Sequence, residues 1–359
     1  MKVLFAGGGT GGHIFPAIAV ADELRKIDGK AEILFVGAKG RIEEKIVPAN
    51  NYELKTIDIK GFNRKNLLKN VSLIFKSYNA LRTCYKILKE FRPDVVAGTG
   101  GFVSGPVVYA ALKKKIPTLI QEGNSFPGIV TKYLSSKVNK VVISFDETLE
   151  YLKRKDNVIK IFYPVRFSLN KIDKTEAKIF FKLSDNKTLF IFGGSQGARG
   201  INEAVKKIYK DLYKENVNII WQTGKKEFEE IKNITKEFSD KIKVFEFIDK
   251  MQYAYSAADL VLCRAGISSI MELAYLKIPA ILMPFPHSAE DHQVKNALSL
   301  EKKGACILVR EIEGNEKLYN IIIKLISDDI ALKNLSENIN KFSDKDSAKK
   351  IAKEIIQLI

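Results

Sequence analysis

His13 closes a short string, Gly7-Gly8-Gly9-Thr10-Gly11-Gly12-His13, that follows the apolar run Val3-Leu4-Phe5-Ala6 without a break. Glycines let a backbone turn with positive φ and come close to a ligand, and a helix starting there offers unpaired N–H groups and the positive end of its dipole to an anion. An imidazole at the mouth of such a loop titrates near neutrality, as a general base for a hydroxyl must; a phosphate ligand or a helix cap would fit the same place. A second loop, Gly193-Gly194-Ser195-Gln196-Gly197-Ala198, follows Leu189-Phe190-Ile191-Phe192 in the same way. The chain starts a strand, a glycine turn and a helix twice. This predicts two domains that handle phosphorylated ligands.

Gly7, Gly9 and Gly12 also satisfy the G-x-G-x-x-G pattern of dinucleotide sites. That pattern needs an acidic residue about 20 residues further on, ending the second strand, to hold a ribose hydroxyl. Here the second strand runs into Gly37-Ala38-Lys39-Gly40-Arg41, so a nicotinamide enzyme is the weaker reading.

The elements that must carry these loops can be read from apolar runs alternating with helical patterns. Strands are expected at Val3–Ala6, Ile33–Val36, Val95–Ala97, Thr118–Gln121 and Val141–Ile143. A second series is expected at Leu189–Phe192, Asn218–Gln222, Lys243–Glu246, Leu260–Cys263 and Ala280–Met283. Such alternation argues for doubly wound parallel α/β sheets. Ala17, Val20, Ala21 and Leu24 give the first helix one apolar face, with Pro16 expected in its first turn. Tyr163-Pro164-Val165-Arg166 reads as the linker, giving domains at 1–163 and 164–340 and a C-terminal helix in 341–359 that could pack back on the first domain.

Composition sets the bounds. A chain of 359 residues with 46% hydrophobic content can bury more than one core, and a net charge of +17 favours an anionic partner. No run approaches the roughly 18 apolar residues of a spanning helix, and no signal-peptide core precedes the first strand, so a cytosolic chain is expected. Cys84, Cys263 and Cys306 lack metal-type spacing and are expected to be reduced packing residues. The only Asp-x-Asp string, Asp344-Lys345-Asp346, follows no strand and reads as a solvated helix start; no metal or other cofactor is expected. Residues 60–89 carry eight basic residues and no acidic one. Leu67, Val71, Ile74, Tyr78, Leu81, Tyr85 and Leu88 form one helical stripe, read mostly as core. Leu68, Leu73 and Phe75 with Lys65, Lys69 and Lys76 could form a patch for an anionic membrane surface. No nucleic-acid signature accompanies the charge, so no nucleic acid is expected as partner.

Eight strings occur in one order: GGGTGGH, GGFVSGP (100–106), QEGNSFPG (121–128), YPVR (163–166), GGSQGA, FID (247–249), CRAG (263–266) and DHQVKNA (291–297). In this series the chain resembles the MurG family, the lipid-linked N-acetylglucosaminyltransferases of peptidoglycan synthesis, over roughly residues 1 to 310. The resemblance implies a GT-B fold, two Rossmann-like doubly wound domains facing a central cleft. It further implies an inverting transferase that moves N-acetylglucosamine from UDP-N-acetylglucosamine to the C4 hydroxyl of the muramoyl group of lipid I, giving lipid II. The place would be the cytoplasmic face of the cell membrane, with other cell-wall synthesis proteins as further partners.

Carried onto this sequence, the family makes His13 the base, with Glu122 as the alternative. Thr10, Gly11, Gly12, Gly100, Gly101, Ser104 and Glu122 fall to the acceptor diphosphate and sugar. Thr10, Gly11 and Gly12 fall to the donor as well, with Asn124, Arg166, Ser195, Gln196, Ile248 and the run Ile267-Ser268-Ser269-Ile270-Met271-Glu272. His292, Gln293 and Asn296 complete that set. The family often has histidine and glutamine where this chain has Gln121 and Gly123. Glu272 is implied on the ribose hydroxyls and Ile248 on the uracil edge. Ser269 and Glu272 also have the spacing of a capping box, which alone would explain both.

Overall fold

A computed structural model describes residues 1–59, 71–165, 169–194 and 196–359, with the backbone alone for 71–77, 289 and 315. The chain divides into two compact units, Met1–Arg166 with Asp344–Ile359, and Phe167–Ser343. Among the described residues no helix is long and apolar enough to cross a membrane.

The first unit is built on seven parallel strands: β1 (Lys2–Gly7), β2 (Glu32–Ala38), β3 (Glu53–Ile57), β4 (Val95–Gly100), β5 (Thr118–Glu122), β6 (Lys140–Ile143) and β7 (Val158–Lys160). They lie in the order β3-β2-β1-β4-β5-β6-β7. Continuous apolar runs make these strands because both faces are covered. Val3, Phe5, Val95, Ala97, Leu119 and Val142 pack on one face beneath the helices Gly11–Ile27 and Ser347–Ile356, the latter contributing Ile351, Ala352 and Ile355. Leu4, Ala6, Val96, Ile120 and Val141 fill the other, beneath Val71–Phe91 and Gly101–Lys113. Among the described side chains of Val71–Phe91, Ala80, Cys84, Ile87 and Leu88 are buried, whereas Tyr78 of the expected stripe is 68% exposed. Asp344 and Asp346 do precede a helix, Ser347–Ile356.

The second unit has six parallel strands: β8 (Thr188–Phe192), β9 (Asn218–Gln222), β10 (Ile242–Phe245), β11 (Leu260–Cys263), β12 (Ala280–Leu282) and β13 (Ile307–Leu308). Their order is β10-β9-β8-β11-β12-β13. Leu189, Ile191, Ile219, Trp221, Leu260 and Leu262 face a core completed by Ile201, Val205, Leu318 and Ile322. Phe190 and Phe192 point the other way and meet the edge of Tyr255.

Both sheets reverse their order beside the first strand of the unit, between β1 and β4 and between β8 and β11. In open parallel sheets the crevice beyond the carboxyl ends at such a reversal is where ligands bind. The two glycine loops follow β1 and β8, so the sequence delivers each to that place. All three cysteines are buried and free. Burial pushes the Cys84 thiol up to about 12, and those of Cys263 and Cys306 also up, which leaves them packing groups.

Candidate active site

In the first unit the helix Gly11–Ile27 begins directly after the glycine loop, with Thr10 at its N-cap making no side-chain capping bond among the described residues. The first helical N–H groups, those of Gly11 and Gly12, have no acceptor within the helix and are half-exposed with His13. His13 Nδ1 lies 3.2 Å from the carbonyl oxygen of Thr99. A carbonyl only accepts, so Nδ1 carries the proton and Nε2 is the basic nitrogen of the neutral ring. Thr99 Oγ1 in turn donates to the His13 carbonyl at 3.0 Å. The ring lies so close to the turn after β4 that a Cβ on Gly100, where φ is 110°, would come 2.5 Å from Nδ1. Glycine is needed there to leave room for the imidazole ring.

Three candidate residues organise backbone. Ser104 is buried and donates to the Gly101 carbonyl at 3.0 Å. Glu122 is 7% exposed, and its two oxygens accept from Asn124 N, Asn124 Nδ2, Gly128 N and Thr131 Oγ1 at 2.8–3.1 Å. That web ties the 122–131 turn together. Asn124 joins the web through its amide and accepts from Thr148 Oγ1 with its carbonyl.

Glu43 escaped the sequence reading. It is fully buried and accepts from Gly9 N at 3.1 Å and from Ala38 N at 2.9 Å, joining the glycine loop to the end of β2. A Cβ on Gly8 would stand 2.1 Å from its Oε1. In a charged run, Arg41-Ile42-Glu43-Glu44-Lys45, nothing marks this carboxylate as internal. It engages backbone N–H groups beneath the loop, which leaves the helix start, Gly11 and Gly12, to face an anion.

In the second unit the loop after β8 is pressed against the turn after β9. A Cβ on Gly197 would lie 2.0 Å from the Thr223 carbonyl oxygen, and one on Gly224 2.4 Å from that of Gln196. Gln222, also missed from sequence, bridges the site: its Nε2 donates to the Gly194 carbonyl at 3.1 Å and its Oε1 accepts from Ile248 N at 2.8 Å. The Ile248 side chain is buried and its N–H is taken by Gln222, so its carbonyl is the backbone group left for a base edge.

The helix Ile267–Leu276 opens after β11 with Gly266 at its N-cap. This corrects the capping-box reading: Ser269 lies inside the first turn and Glu272 beyond it. Ile270 N already donates to Gly266 O, and the side chains of Ile270 and Met271 are core, so the N–H groups of Ile267, Ser268 and Ser269 are the ones a ligand could use. Glu272 is 6% exposed and accepts from Tyr255 OH at 2.8 Å. Asn296 is wholly buried, its Nδ2 3.3 Å from the Ala265 carbonyl. Gln293 Oε1 accepts from Phe285 N at 2.9 Å. Both amides thus shape the turns beside the helix start, and His292 opens the helix that carries them. Gln196 is exposed in the loop. Arg166, Ser195 and the patch lysines Lys65 and Lys69 lie outside the described residues, as does the side chain of Lys76. Among the described residues no group of three or more His, Cys, Asp or Glu could hold a metal ion.

On the ribose role that the resemblance implies for Glu272, its replacement by alanine is expected to weaken UDP binding by about 10–150-fold, the loss of one charge-assisted hydrogen bond worth about 1.5–3 kcal/mol. Titration calorimetry measures it, and unchanged affinity with a lowered melting temperature would reduce Glu272 to the partner of Tyr255.

Two family models match the chain, the glycosyltransferase family 28 N-terminal domain over residues 3–143 and its C-terminal domain over residues 188–354. A relative from Flavobacterium psychrophilum is 42% identical over 100% of this chain and 98% of its own length. One from Thermoanaerobacter sp. (strain X514) is 42% identical over 99% of each. Both are named UDP-N-acetylglucosamine–N-acetylmuramyl-(pentapeptide) pyrophosphoryl-undecaprenol N-acetylglucosamine transferase. The crystal structure of Acinetobacter baumannii MurG superposes with a TM-score of 0.78 at 25% identity, covering 99% of each chain.

Proposed function

Because the chain belongs to the MurG family, within glycosyltransferase family 28, it is an N-acetylglucosamine transferase of peptidoglycan synthesis, and we propose that His13 drives an inverting transfer to lipid I. The acceptor is the undecaprenyl-diphosphate-linked muramoyl-pentapeptide, the donor UDP-N-acetylglucosamine. In the proposed step His13 Nε2 takes the proton of the muramoyl C4 hydroxyl as its oxygen attacks the anomeric carbon. The bond from that carbon to the diphosphate breaks on the opposite face, UDP leaves, and lipid II remains. The observation that carries this reading is the His13 ring, turned by the Thr99 carbonyl at 3.2 Å so that Nε2 is the basic nitrogen, at the start of the helix after β1.

The first unit is assigned the acceptor diphosphate, at the N–H groups of Gly11 and Gly12 and the turn at Gly100 and Gly101. The second is assigned the donor. There the Gly193–Ala198 loop and the start of the helix Ile267–Leu276 would meet the diphosphate, with Glu272 on the ribose. Negative charge growing on the leaving UDP is answered by these N–H dipoles and by the Arg166 guanidinium, without a metal ion.

A net charge of +17 suits the remaining partner, an anionic membrane surface at the cytoplasmic face, and other cell-wall synthesis proteins belong to the same proposal. One assay tests the whole. With the acceptor in anionic vesicles and no divalent cation, wild-type protein should release UDP and sediment with the vesicles. The Lys65, Lys69 and Lys76→Glu variant should lose sedimentation, each lysine being worth roughly 1 kcal/mol at such a surface, and still glycosylate a short-chain soluble acceptor. No UDP release from wild type would overturn the reaction; unaltered sedimentation of the triple variant would move membrane contact elsewhere.

A further inference from the structure

We propose that Tyr163 is a positioning residue for His13, replacing a hydrogen bond that Pro16 removes from the helix on which His13 sits; this rests on the reading of His13 as the base. The helix Gly11–Ile27 contains Pro16, past its first turn. In an α-helix the N–H of residue 16 would donate to the carbonyl of Gly12, but proline has none, so the carbonyl just before His13 loses its donor within the helix. The Tyr163 hydroxyl takes that place, donating to Gly12 O at 2.9 Å.

The same hydroxyl lies 3.4 Å from Thr99 O. That oxygen receives His13 Nδ1 at 3.2 Å, and the Thr99 hydroxyl returns a bond to His13 O. Tyr163 therefore holds the peptide on the N-terminal side of the base, with its hydroxyl packed beside the carbonyl that fixes the base's tautomer. Its side chain is 3% exposed, so no bulk water replaces it. Burial first, and the negative charge of Glu122 second, hold the phenol protonated far above neutral pH, so it remains a donor wherever the enzyme works. An orphaned carbonyl at Gly12 would be costly, and the first turn would shift to find a partner. His13 is the next residue, and a shift of about an ångström in a catalytic group can cost about 10²-fold in rate.

Tyr163→Phe keeps the ring and deletes only the hydroxyl. Its kcat should fall about tenfold, with the KM for UDP-N-acetylglucosamine unchanged. Adding Pro16→Ala to that variant returns an N–H to residue 16 and should recover most of the turnover. A second readout does not depend on catalysis: the His13 ring signal in NMR, identified among three histidines by its loss in His13→Gln. It should shift or broaden in Tyr163→Phe and move back in the double variant. Turnover and ring signal both unaltered by Tyr163→Phe would overturn the proposal, and so would a loss that Pro16→Ala leaves unrecovered. If the ring signal responds and recovers while His13→Ala keeps its turnover, the hold of Tyr163 on His13 stands and the base assignment falls.

Discussion

His13→Ala is expected to lower turnover by about 10²–10⁴-fold at saturating substrates, with the affinity for UDP little changed. A base acts on the transition state, so its loss falls on kcat. The donor is assigned mainly to the other unit, so UDP binding should change little. The sign of the pH dependence follows from the same role. The ring accepts a proton only when neutral, so the wild-type rate should rise with pH through the range in which an imidazole titrates, and that limb should vanish in the variant. Steady-state kinetics across pH with both substrates saturating checks this. A raised acceptor KM with near-normal kcat would instead make His13 a phosphate ligand, and lowered stability alone would make it a cap.

An effect of similar size is expected in the second unit from one added methyl group. Gly197 has φ 76°, and a Cβ there would stand 2.0 Å from the Thr223 carbonyl oxygen and 2.8 Å from its carbon. Both are backbone atoms, so no side chain can yield. Gly197→Ala must displace the loop after β8 or the turn after β9, on top of roughly 1–2 kcal/mol for a left-handed alanine. The Kd for UDP should rise by about 100-fold, close to 2.7 kcal/mol. Gly194→Ala is the control: φ there is 92° but a Cβ meets nothing within 4 Å among the described residues, so strain acts without collision and the loss should be smaller. Calorimetric titration ranks the two. Equal affinity in both variants and wild type would mean that this loop does not hold the diphosphate.

The strands on which both sites stand were legible because each is an apolar run buried on two faces; β1 and β8 need no knowledge of their neighbours to be recognised. The missed strands lie at or beside sheet edges. β3 is Glu-Leu-Lys-Thr-Ile with its charged residues toward solvent, and β7 and β13 are three and two residues long. Such segments become strands only through a partner already in place. The candidate site divides in the same way. Glycine loops followed by helices are local patterns and were found. Glu43, Gln222 and Tyr163 act on backbone groups far along the chain, Tyr163 on a carbonyl 151 residues away, and no spacing announces that. Ser269 and Glu272 err in the other direction: a local spacing suggested a cap, but Gly266, able to follow the turn out of β11, starts the helix earlier.

The return of the last helix to the first unit sets an order in time. As the chain leaves the ribosome, residues 167–343 contain everything their unit needs, whereas Met1–Arg166 must wait for Asp344–Ile359. Until then the sheet face bearing Val3, Phe5, Val95 and Leu119 lacks the cover of Ile351, Ala352 and Ile355. Domains generally complete themselves from the N-terminus onward during synthesis. Here the half made first is finished last, so the nascent chain carries that face covered by the helix Gly11–Ile27, without its second helix, through the synthesis of the second unit.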